Sequence, residues 1–375
     1  MRVGIDAHAA EGGPSGNGSY IRGLLPALAR LDDDVEYVAY ALDPGHPFYG
    51  DFHAHPRVTV RRLWPRPALV RIPLALAAAS RRDRLDALHV QYVGPPCHRG
   101  SLVVTIHDLA FLRIPRAFPR LQSLRLRLQV RANARRASVV ITDSEHSKRD
   151  LVTAYGIDEG RIHVIPLAAD PRLTRVRDPA TLEAITRKFG ITHRYVLSVG
   201  RLNARKNLVG LVRAFERVGP GLAEPAQLVI AGPRDFGADA LDRAIAASTC
   251  ASDVLRVGAV SADDLPALLS GATAFAYPSL FEGFGLPPLE AMACGTPVIC
   301  SNTGSLPEVV GDAALTFDPS AVDDIASALR RVLTDATVRA DLAARGSARA
   351  ARFSWRTTAE LTLGAYRHAL RAREA

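Results

Sequence analysis

Two glutamates stand eight residues apart in a glycine-rich stretch of the second half of the chain. Glu282 follows the apolar run 272–278, and Glu290 lies near the start of a short helical segment. Ionised carboxylates are pure hydrogen-bond acceptors, so the pair suits recognition of the hydroxyl groups of a sugar or a ribose. It works as a general acid and base only where both carboxyls flank one reacting bond, and the spacing leaves this open.

A pair of cations follows the apolar run 194–200. Arg201 and Lys206 belong to the stretch GRLNARKN, just before a helix predicted to start near Asn207. Two cations at a helix N-terminus can hold a diphosphate, at about 1.5–3 kcal/mol for each charged hydrogen bond. Lys206 is one of three lysines in an arginine-rich chain, which favours a specific role over a solvated basic turn.

A cluster of glycines follows the first apolar run, in EGGPSGNGSY (11–20). Gly13 and Gly16 stand here ahead of a predicted helix. Glycines let a backbone approach a ligand closely, and a helix N-terminus favours an anion. The spacing is neither G-x-G-x-x-G nor a P-loop, so a dinucleotide site is not predicted and a flexible strand-to-helix loop is an equal alternative.

A histidine, His107, ends the apolar run 102–108 and is followed by Asp108. A lone histidine is usually a structural residue whose hydrogen bonds are satisfied. Asp108 can either orient the imidazole or cap a turn. The residues alone therefore favour a structural role for His107.

Short apolar runs rich in valine and isoleucine must position these residues. They alternate with amphipathic stretches, the pattern of doubly wound α/β sheets with parallel strands buried on both faces. Ligands bind at the carboxyl ends of such strands, where the residues above stand. The predicted strands are 2–6, 35–41, 87–92, 102–108, 138–143, 161–166, 194–200, 226–232, 253–260, 272–278 and 296–301, and the predicted helices include 18–31, 118–136, 144–155 and 355–372.

The composition limits the class of protein. The net charge of +9 comes almost entirely from arginine, and aromatic residues make up 6% of the chain without a basic-aromatic motif, so no nucleic-acid partner is predicted. No secretory signal and no apolar stretch of about 20 residues is visible, which predicts a cytoplasmic protein. The cysteines lack metal-ligand spacing and are predicted to be free thiols: Cys97, Cys250, Cys294 and Cys300. A pause in the pattern at 166–180, with three prolines, predicts two α/β domains joined near residue 170.

A set of ordered motifs resembles one enzyme family. GRLNARKN together with EGFGLPPLEAMACGTPVI (282–299) is similar to the donor-binding half of retaining glycosyltransferase family 4, whose hallmark is a glutamate, seven residues and a second glutamate. The glycine loop, VTIHDL (104–109), TDSEHSKRDL (142–151), VGAVSADDLPALLSGA (257–272) and SLPEVVGDAAL (305–315) extend the resemblance over nearly the whole chain.

This resemblance implies a fold and a reaction. The fold is GT-B, α/β, with two facing Rossmann-like doubly wound domains and a cleft between them. It divides the chain into an acceptor-side domain, 1–170 with the returning helix 355–375, and a donor-binding domain, 171–354. The reaction is hexosyl transfer with retention of anomeric configuration, in which the departing phosphate oxygen helps to deprotonate the acceptor. No D-x-D-type motif stands out, so no metal and no cofactor is predicted, and helix N-termini with Arg201 and Lys206 would replace a cation.

The resemblance also implies roles by position. Arg201 and Lys206 would grip the donor diphosphate, and Glu290 would accept hydrogen bonds from the ribose. His107 would face the donor sugar, which reverses the structural interpretation above. The other residues implied in donor binding are Glu282, Gly283, Phe284, Gly285 and Leu286 at the transferred sugar, Val257 and Val260 beside the nucleobase, and Gly13 and Gly16 over the diphosphate.

The sequence defines the sugar donor, the acceptor and the cellular location less closely than the reaction. The stretches GGPSGNGSY and HDLAFLRIPRAFP resemble mannosyltransferase-type members, so GDP-mannose is the expected donor, with a UDP-hexose as alternative and a glycan or lipid-linked acceptor. Segment 112–136 carries eight arginines among leucines, which favours either a solvated helix or peripheral contact with the anionic inner face of the plasma membrane. The rivals are an inverting transferase, a GT-B nucleotide-sugar epimerase, and a basic membrane- or nucleic-acid-binding module, which would not explain the carboxylate pair.

Overall fold

Two α/β units make up the computed structural model, which describes residues 1–13, 15–31, 34–96, 98 and 100–374. Cys97, one of the predicted free thiols, lies outside the described residues, whereas the other three cysteines are buried and free. The strands are β1 (Arg2–Asp6), β2 (Glu36–Ala41), β3 (Val58–Arg62), β4 (Ala87–Gln91), β5 (Ser101–Thr105), β6 (Val139–Thr142), β7 (Ile162–Val164), β8 (Arg194–Val199), β9 (Ala226–Ala231), β10 (Val254–Gly258), β11 (Ala274–Tyr277), β12 (Val298–Ser301) and β13 (Ala314–Phe317).

Helices follow most of these strands, and none of the described helices is long and apolar enough to cross a bilayer. They are α1 (Gly16–Ala29), α2 (Ala68–Val70), α3 (Ala77–Arg82), α4 (Ala110–Arg113), α5 (Arg120–Arg136), α6 (Glu145–Tyr155), α7 (Pro179–Lys188), α8 (Leu208–Val218), α9 (Ala238–Ala246), α10 (Leu265–Ser270), α11 (Leu286–Ala293), α12 (Leu306–Val310), α13 (Val322–Thr334), α14 (Ala336–Ala350) and α15 (Trp355–Glu374).

Unit 1 comprises Met1–Leu109, Leu121–Leu167 and Ser354–Ala375. Its seven parallel strands have the order β3-β2-β1-β4-β5-β6-β7, and all five residues of β5 are buried. Helix α15 packs on α1 at Gly23, where an added Cβ would lie 2.0 Å from the Trp355 indole. The absence of a side chain at Gly23 therefore lets the C-terminal helix dock closely.

Unit 2 comprises Ala110–Arg120 and Ala168–Phe353. Its six parallel strands have the order β10-β9-β8-β11-β12-β13. The amphipathic helix α8 buries Leu211, Val212 and Phe215 in the core. The strand order reverses between β8 and β11 here, and between β1 and β4 in unit 1. Ligands of doubly wound sheets bind at the carboxyl ends of strands beside such reversals.

All eleven predicted strands are confirmed, and two further ones are present. The two strands that were not predicted are β3, which contains two arginines, and β13, which has only four residues. The predicted single block 1–170 is wrong at Ala110–Arg120, which groups with unit 2. Prolines 115 and 119 interrupt the helical pattern here, so α4 does not continue into α5.

Candidate functional site

A buried cluster of charged side chains lies where β8 and β11 end. Strand β8 runs into the turn that ends at Lys206, and Asn207 then adopts φ 50° before α8 begins. Strand β11 runs into the loop that carries Glu282. Because β8 and β11 are parallel neighbours, their carboxyl ends bring these two loops together.

Glu282 is the centre of this cluster and is 6% exposed. Its Oε1 accepts hydrogen bonds from Lys206 Nζ at 2.7 Å and Tyr277 Oη at 3.1 Å, and also from Ser279 Oγ. Its Oε2 accepts from Arg205 at 2.7 Å. Burial favours the neutral acid, but the charges of Arg205 and Lys206 outweigh it and lower the pKa of Glu282 to about 2. The cluster therefore holds two cations against one carboxylate in a site from which most water is excluded.

Lys206 is itself buried, at 8% exposure, and its ammonium lies 4.5 Å from the centre of the Tyr277 ring. It also donates to the Tyr277 hydroxyl. Burial and the neighbouring carboxylate keep the pKa of Tyr277 well above its usual value, so this hydroxyl is neutral. The ammonium is thus held by an ion pair, a hydroxyl and an aromatic face, which fixes its position.

Arg201, predicted to act with Lys206, has a different partner. Its side chain is 48% exposed, and Nε donates to Asp235 Oδ2 at 2.9 Å. Asn203 donates to the same carboxylate oxygen at 3.4 Å. The structure therefore brings Lys206 to Glu282 but places the guanidinium of Arg201 on Asp235.

Hydrogen bonds from Ser305 hold the loop that carries Glu282. Ser305 donates to the Glu282 carbonyl from both its backbone N, at 3.2 Å, and its Oγ, at 3.0 Å. Gly304 has φ 63°, and a Cβ there would lie 2.7 Å from the same carbonyl oxygen. Gly285, with φ 114°, then turns the chain into α11. Four of the five residues predicted at the transferred sugar, Gly283 to Leu286, lie on this turn and at the start of α11.

Glu290 lies in the middle of α11, not at its start. Burial raises its pKa to about 7, and the nearby charge of Asp170 contributes. The carboxyl therefore changes charge near neutral pH. Val257 and Val260, predicted at the nucleobase, are partly exposed on and after the edge strand β10, and the chain between them turns at Gly258 with φ 72°.

In unit 1, His107 follows β5 and is 9% exposed. Its Nδ1 lies 2.7 Å from Oδ2 of Asp143, the residue after β6, and its Nε2 lies 2.9 Å from Oε1 of Gln91 at the end of β4. Ser147 of α6 donates to the His107 carbonyl at 3.0 Å. Three neighbouring strands and one helix therefore hold the imidazole at the carboxyl edge of the sheet.

The glycine loop of unit 1 lies beside an open cavity of about 710 Å³. Gly13 is exposed, and Gly16 opens α1, where Ser15 Oγ accepts from the Gly18 backbone at 3.1 Å. The residues that line the cavity include several with polar side chains: His8, Glu11, Asp43, His46 and Arg66. Within the described ranges, no group of three or more histidine, cysteine, aspartate or glutamate residues could hold a metal ion.

Five residues of these two clusters were not identified from the sequence. Arg205 lies inside GRLNARKN, and Tyr277 and Ser279 flank the strand end that was recognised, so the motif itself contained the signal. Asp143 and Gln91 each stand at the end of a strand next to β5. Asp108 was one candidate for orienting His107, but the carboxylate that faces Nδ1 is that of Asp143.

Residues 14–173 match the family model Glycosyltransferase Family 4, and residues 183–349 match Glycosyl transferases group 1. The O-antigen chain mannosyltransferase B of Escherichia coli is 34% identical over 291 residues, which cover 76% of this chain and 75% of that protein. The serotype-specific mannosyltransferase WbdA of E. coli is 30% identical over 246 residues, 64% of this chain, and the match spans 30% of WbdA.

A solved structure shares the fold. HepE from Anabaena, in complex with UDP and glucose, has a TM-score of 0.75 and 21% sequence identity, and the match covers 97% of this chain and 98% of HepE. The chain therefore has the same fold as HepE.

Proposed function

Because this chain belongs to glycosyltransferase family 4, with the GT-B fold and retaining hexosyl transfer, we propose that it transfers mannose from GDP-mannose to a glycan or lipid-linked acceptor. The observation that carries the proposal is the buried cluster of Lys206, Arg205 and Glu282. Preorganised cations at the end of two strands can stabilise the negative charge that develops on a departing diphosphate. The choice of mannose is supported by the 34% identity with the O-antigen chain mannosyltransferase B.

The donor is assigned to unit 2. Lys206 binds the diphosphate, and Glu282 keeps the ammonium charged and fixed while its loop, Gly283 to Leu286, offers backbone groups to the transferred sugar. Arg201 reaches the diphosphate by leaving Asp235, an exchange that costs little because the pair is half-exposed. Glu290 accepts from the ribose hydroxyls, and Val257 and Val260 contact the base.

The chemical step follows from this charge distribution. As the bond between the anomeric carbon and the phosphate oxygen breaks, negative charge grows on the diphosphate, where Lys206 and Arg201 stabilise it. The departing phosphate oxygen takes the proton of the acceptor hydroxyl while the acceptor oxygen bonds to the anomeric carbon on the same face, so configuration is retained. His107 contacts the transferred sugar, and the Gly13–Gly16 loop approaches the diphosphate with its backbone.

The acceptor is assigned to the 710 Å³ cavity of unit 1. Its carboxylates and imidazoles are hydrogen-bonding groups suited to a sugar acceptor. Arg66 lines the cavity and belongs to segment 52–82, which contains seven arginines and no acidic residue. A lipid-linked acceptor would therefore meet a basic surface at this end of the cavity.

The same surface supports peripheral contact with the anionic inner face of the plasma membrane. Segments 52–82 and 112–136 together hold fifteen arginines and no Asp or Glu, so the rest of the chain has a formal net charge of −6. Within unit 1, α3 and α5 are both crossovers in the same direction along the sheet, so right-handed connections place them on one face. Seven large apolar side chains of this surface are exposed: Trp64, Leu69, Val70, Leu74, Leu121, Leu124 and Leu128.

Leucines beside arginines are suited to an anionic lipid surface, because the apolar groups enter the interface while the charges meet headgroups. Flotation with phosphatidylcholine vesicles, with and without phosphatidylglycerol, tests this contact. We expect binding only to the anionic vesicles and its loss in Leu124→Ser/Leu128→Ser. Phe236→Ser, which removes an exposed aromatic residue of unit 2, is the matched control and should float like wild type. Equal binding by both variants would contradict the assignment.

Nucleotide release from a panel of GDP-mannose, UDP-glucose, UDP-galactose and UDP-N-acetylglucosamine tests the donor. We expect release of GDP alone, abolished in His107→Ala and Lys206→Met. A UDP-hexose is the second candidate because HepE, which shares the fold, is seen with UDP and glucose. Release of UDP in place of GDP would favour that candidate. No nucleotide release from any of the four donors, together with no thermal stabilisation by GDP or UDP, would overturn the proposed function.

A further inference from the structure

The ring of His107 has both nitrogens against hydrogen-bond acceptors. Nδ1 faces the Asp143 carboxylate at 2.7 Å, and Nε2 faces Oε1 of Gln91 at 2.9 Å. A neutral imidazole has one N–H donor, whereas an imidazolium has two. Since both facing oxygens are acceptors, the two contacts together require a proton on each ring nitrogen.

The orientation of the Gln91 amide is fixed by a separate contact. Its Nε2 donates to the backbone carbonyl of Asn17 at 3.3 Å, which leaves Oε1 directed at His107. Turning the amide over would set Oε1 against the Asn17 carbonyl, so two acceptors would oppose each other. Gln91 is therefore the acceptor of the hydrogen bond and His107 Nε2 its donor.

Asp143 supplies the charge that this arrangement needs. It is 2% exposed, and within the described part of the chain its Oδ1 has no hydrogen-bond partner. A buried carboxylate with one hydrogen bond is costly unless that partner is a cation. Burial lowers the pKa of His107, but the charge of Asp143 and its hydrogen bond, with a smaller contribution from Asp108, outweigh this and raise the pKa.

The other groups around the ring are neutral. Tyr20 of α1 and Tyr92 after β4 contact it edge-to-face, with ring centres 4.9 and 5.7 Å away. His89 of β4 is uncharged, because burial and the charge of His107 lower its pKa to about 3. The imidazolium is therefore balanced by carboxylates at Asp143 and Asp108 and has no competing cation among these groups.

We propose that Asp143 is a positioning residue that holds His107 as an imidazolium, so that Nε2–H donates a hydrogen bond to an oxygen of the bound sugar donor. Gln91 accepts this N–H and yields it to that oxygen when the donor enters. The meaning for catalysis rests on the proposed function, which assigns His107 to the donor sugar. A ring protonated on both nitrogens cannot remove the acceptor proton, which leaves that task to the departing phosphate oxygen.

Long-range proton–nitrogen NMR of histidine-labelled protein tests the charge without substrate. We expect the His107 signals, assigned by their loss in His107→Gln, to show two protonated nitrogens at pH 7.5. In Asp143→Asn they should show a neutral ring at the same pH, and in Gln91→Glu a charged ring to higher pH than in wild type. A neutral wild-type ring at pH 7.5 would overturn the proposal whether or not the enzyme turns over GDP-mannose.

The kinetics of Asp143→Asn distinguish a role of the Asp143 charge from a purely structural role of this residue. We expect kcat/KM for GDP-mannose at pH 8 to fall about tenfold, the value of a charged hydrogen bond over a neutral one. Burial without Asp143 keeps the ring of the variant neutral between pH 6 and pH 8, so the loss should shrink only where wild type gives up its second proton in alkali, and Asp143→Glu should restore part of the activity. No restoration of activity by Asp143→Glu would contradict the role of charge. Should Asp143→Asn not fold, the NMR of wild type and of Gln91→Glu decides.

Discussion

Replacing Lys206 by Met should destabilise unit 2 and abolish transfer for two separable reasons. The ammonium compensates the charge of the Glu282 carboxylate, which is 6% exposed, and Lys206 Nζ lies 2.7 Å from Glu282 Oε1. Breaking a buried ion pair from one side costs about 3–5 kcal/mol. Arg205 and Ser279 still donate to Glu282, so the low end, about 3 kcal/mol, is expected. For a unit of this size that lowers the Tm by about 6–12 °C.

Turnover should fall further than stability explains. Loss of one preorganised donor to a developing charge costs about 10²–10³ in rate. The double variant Lys206→Met/Glu282→Gln removes the uncompensated carboxylate and should recover most of the Tm without recovering GDP release. The readouts are thermal melts followed by circular dichroism and GDP release from GDP-mannose below the melting range. Recovery of turnover in the double variant to within a few-fold of wild type would refute phosphate binding by Lys206, and an unchanged Tm in Lys206→Met would refute the ion-pair argument.

Three further changes have distinct expected outcomes. Gly304→Ala should lower the Tm by several degrees more than Gly190→Ala, since both have φ above 60° but only the former would press a Cβ on the Glu282 loop; equal melting of the two would contradict this. Glu290 has a folded pKa of about 7, above its unfolded value, so its stabilisation of the fold is present in acid and lost as pH rises through 7, by up to about 3 kcal/mol. Ionisation also creates a full acceptor, so calorimetry should show nucleotide affinity rising from pH 6 to 8, and Glu290→Gln should flatten both trends. Arg201→Ala breaks a half-exposed pair with Asp235 and should cost under about 1 kcal/mol by chemical denaturation while weakening GDP binding; unchanged GDP affinity would remove Arg201 from the site.

The strands and the general position of the site could be predicted from local pattern. Val- and Ile-rich runs define strands that are buried on both faces, and the polar residues that follow them must lie at one edge of each sheet. β3 was not predicted because two of its five residues are arginines, which interrupt the apolar pattern. Residues 110–120 were assigned to the first domain because the unit to which a segment belongs depends on long-range packing, which local sequence does not show.

The pairing of the side chains could not be predicted from spacing. Arg201 and Lys206 are five residues apart, yet one meets Asp235 and the other meets Glu282. The short 3-10 turn Ala204–Lys206 redirects the chain between the two cations. Asp143 is 36 residues from His107, and only the adjacency of β5 and β6 brings them to 2.7 Å.

We propose that this chain transfers mannose from GDP-mannose with retention of configuration. The most direct measurement is the anomeric carbon–hydrogen coupling, by NMR, of the product formed from ¹³C-labelled GDP-α-mannose and a short mannose oligosaccharide in the presence of anionic vesicles. We expect an α-mannoside with wild type and none with Lys206→Met. A β-mannoside, or an α-mannoside formed equally well by the variant, would contradict it.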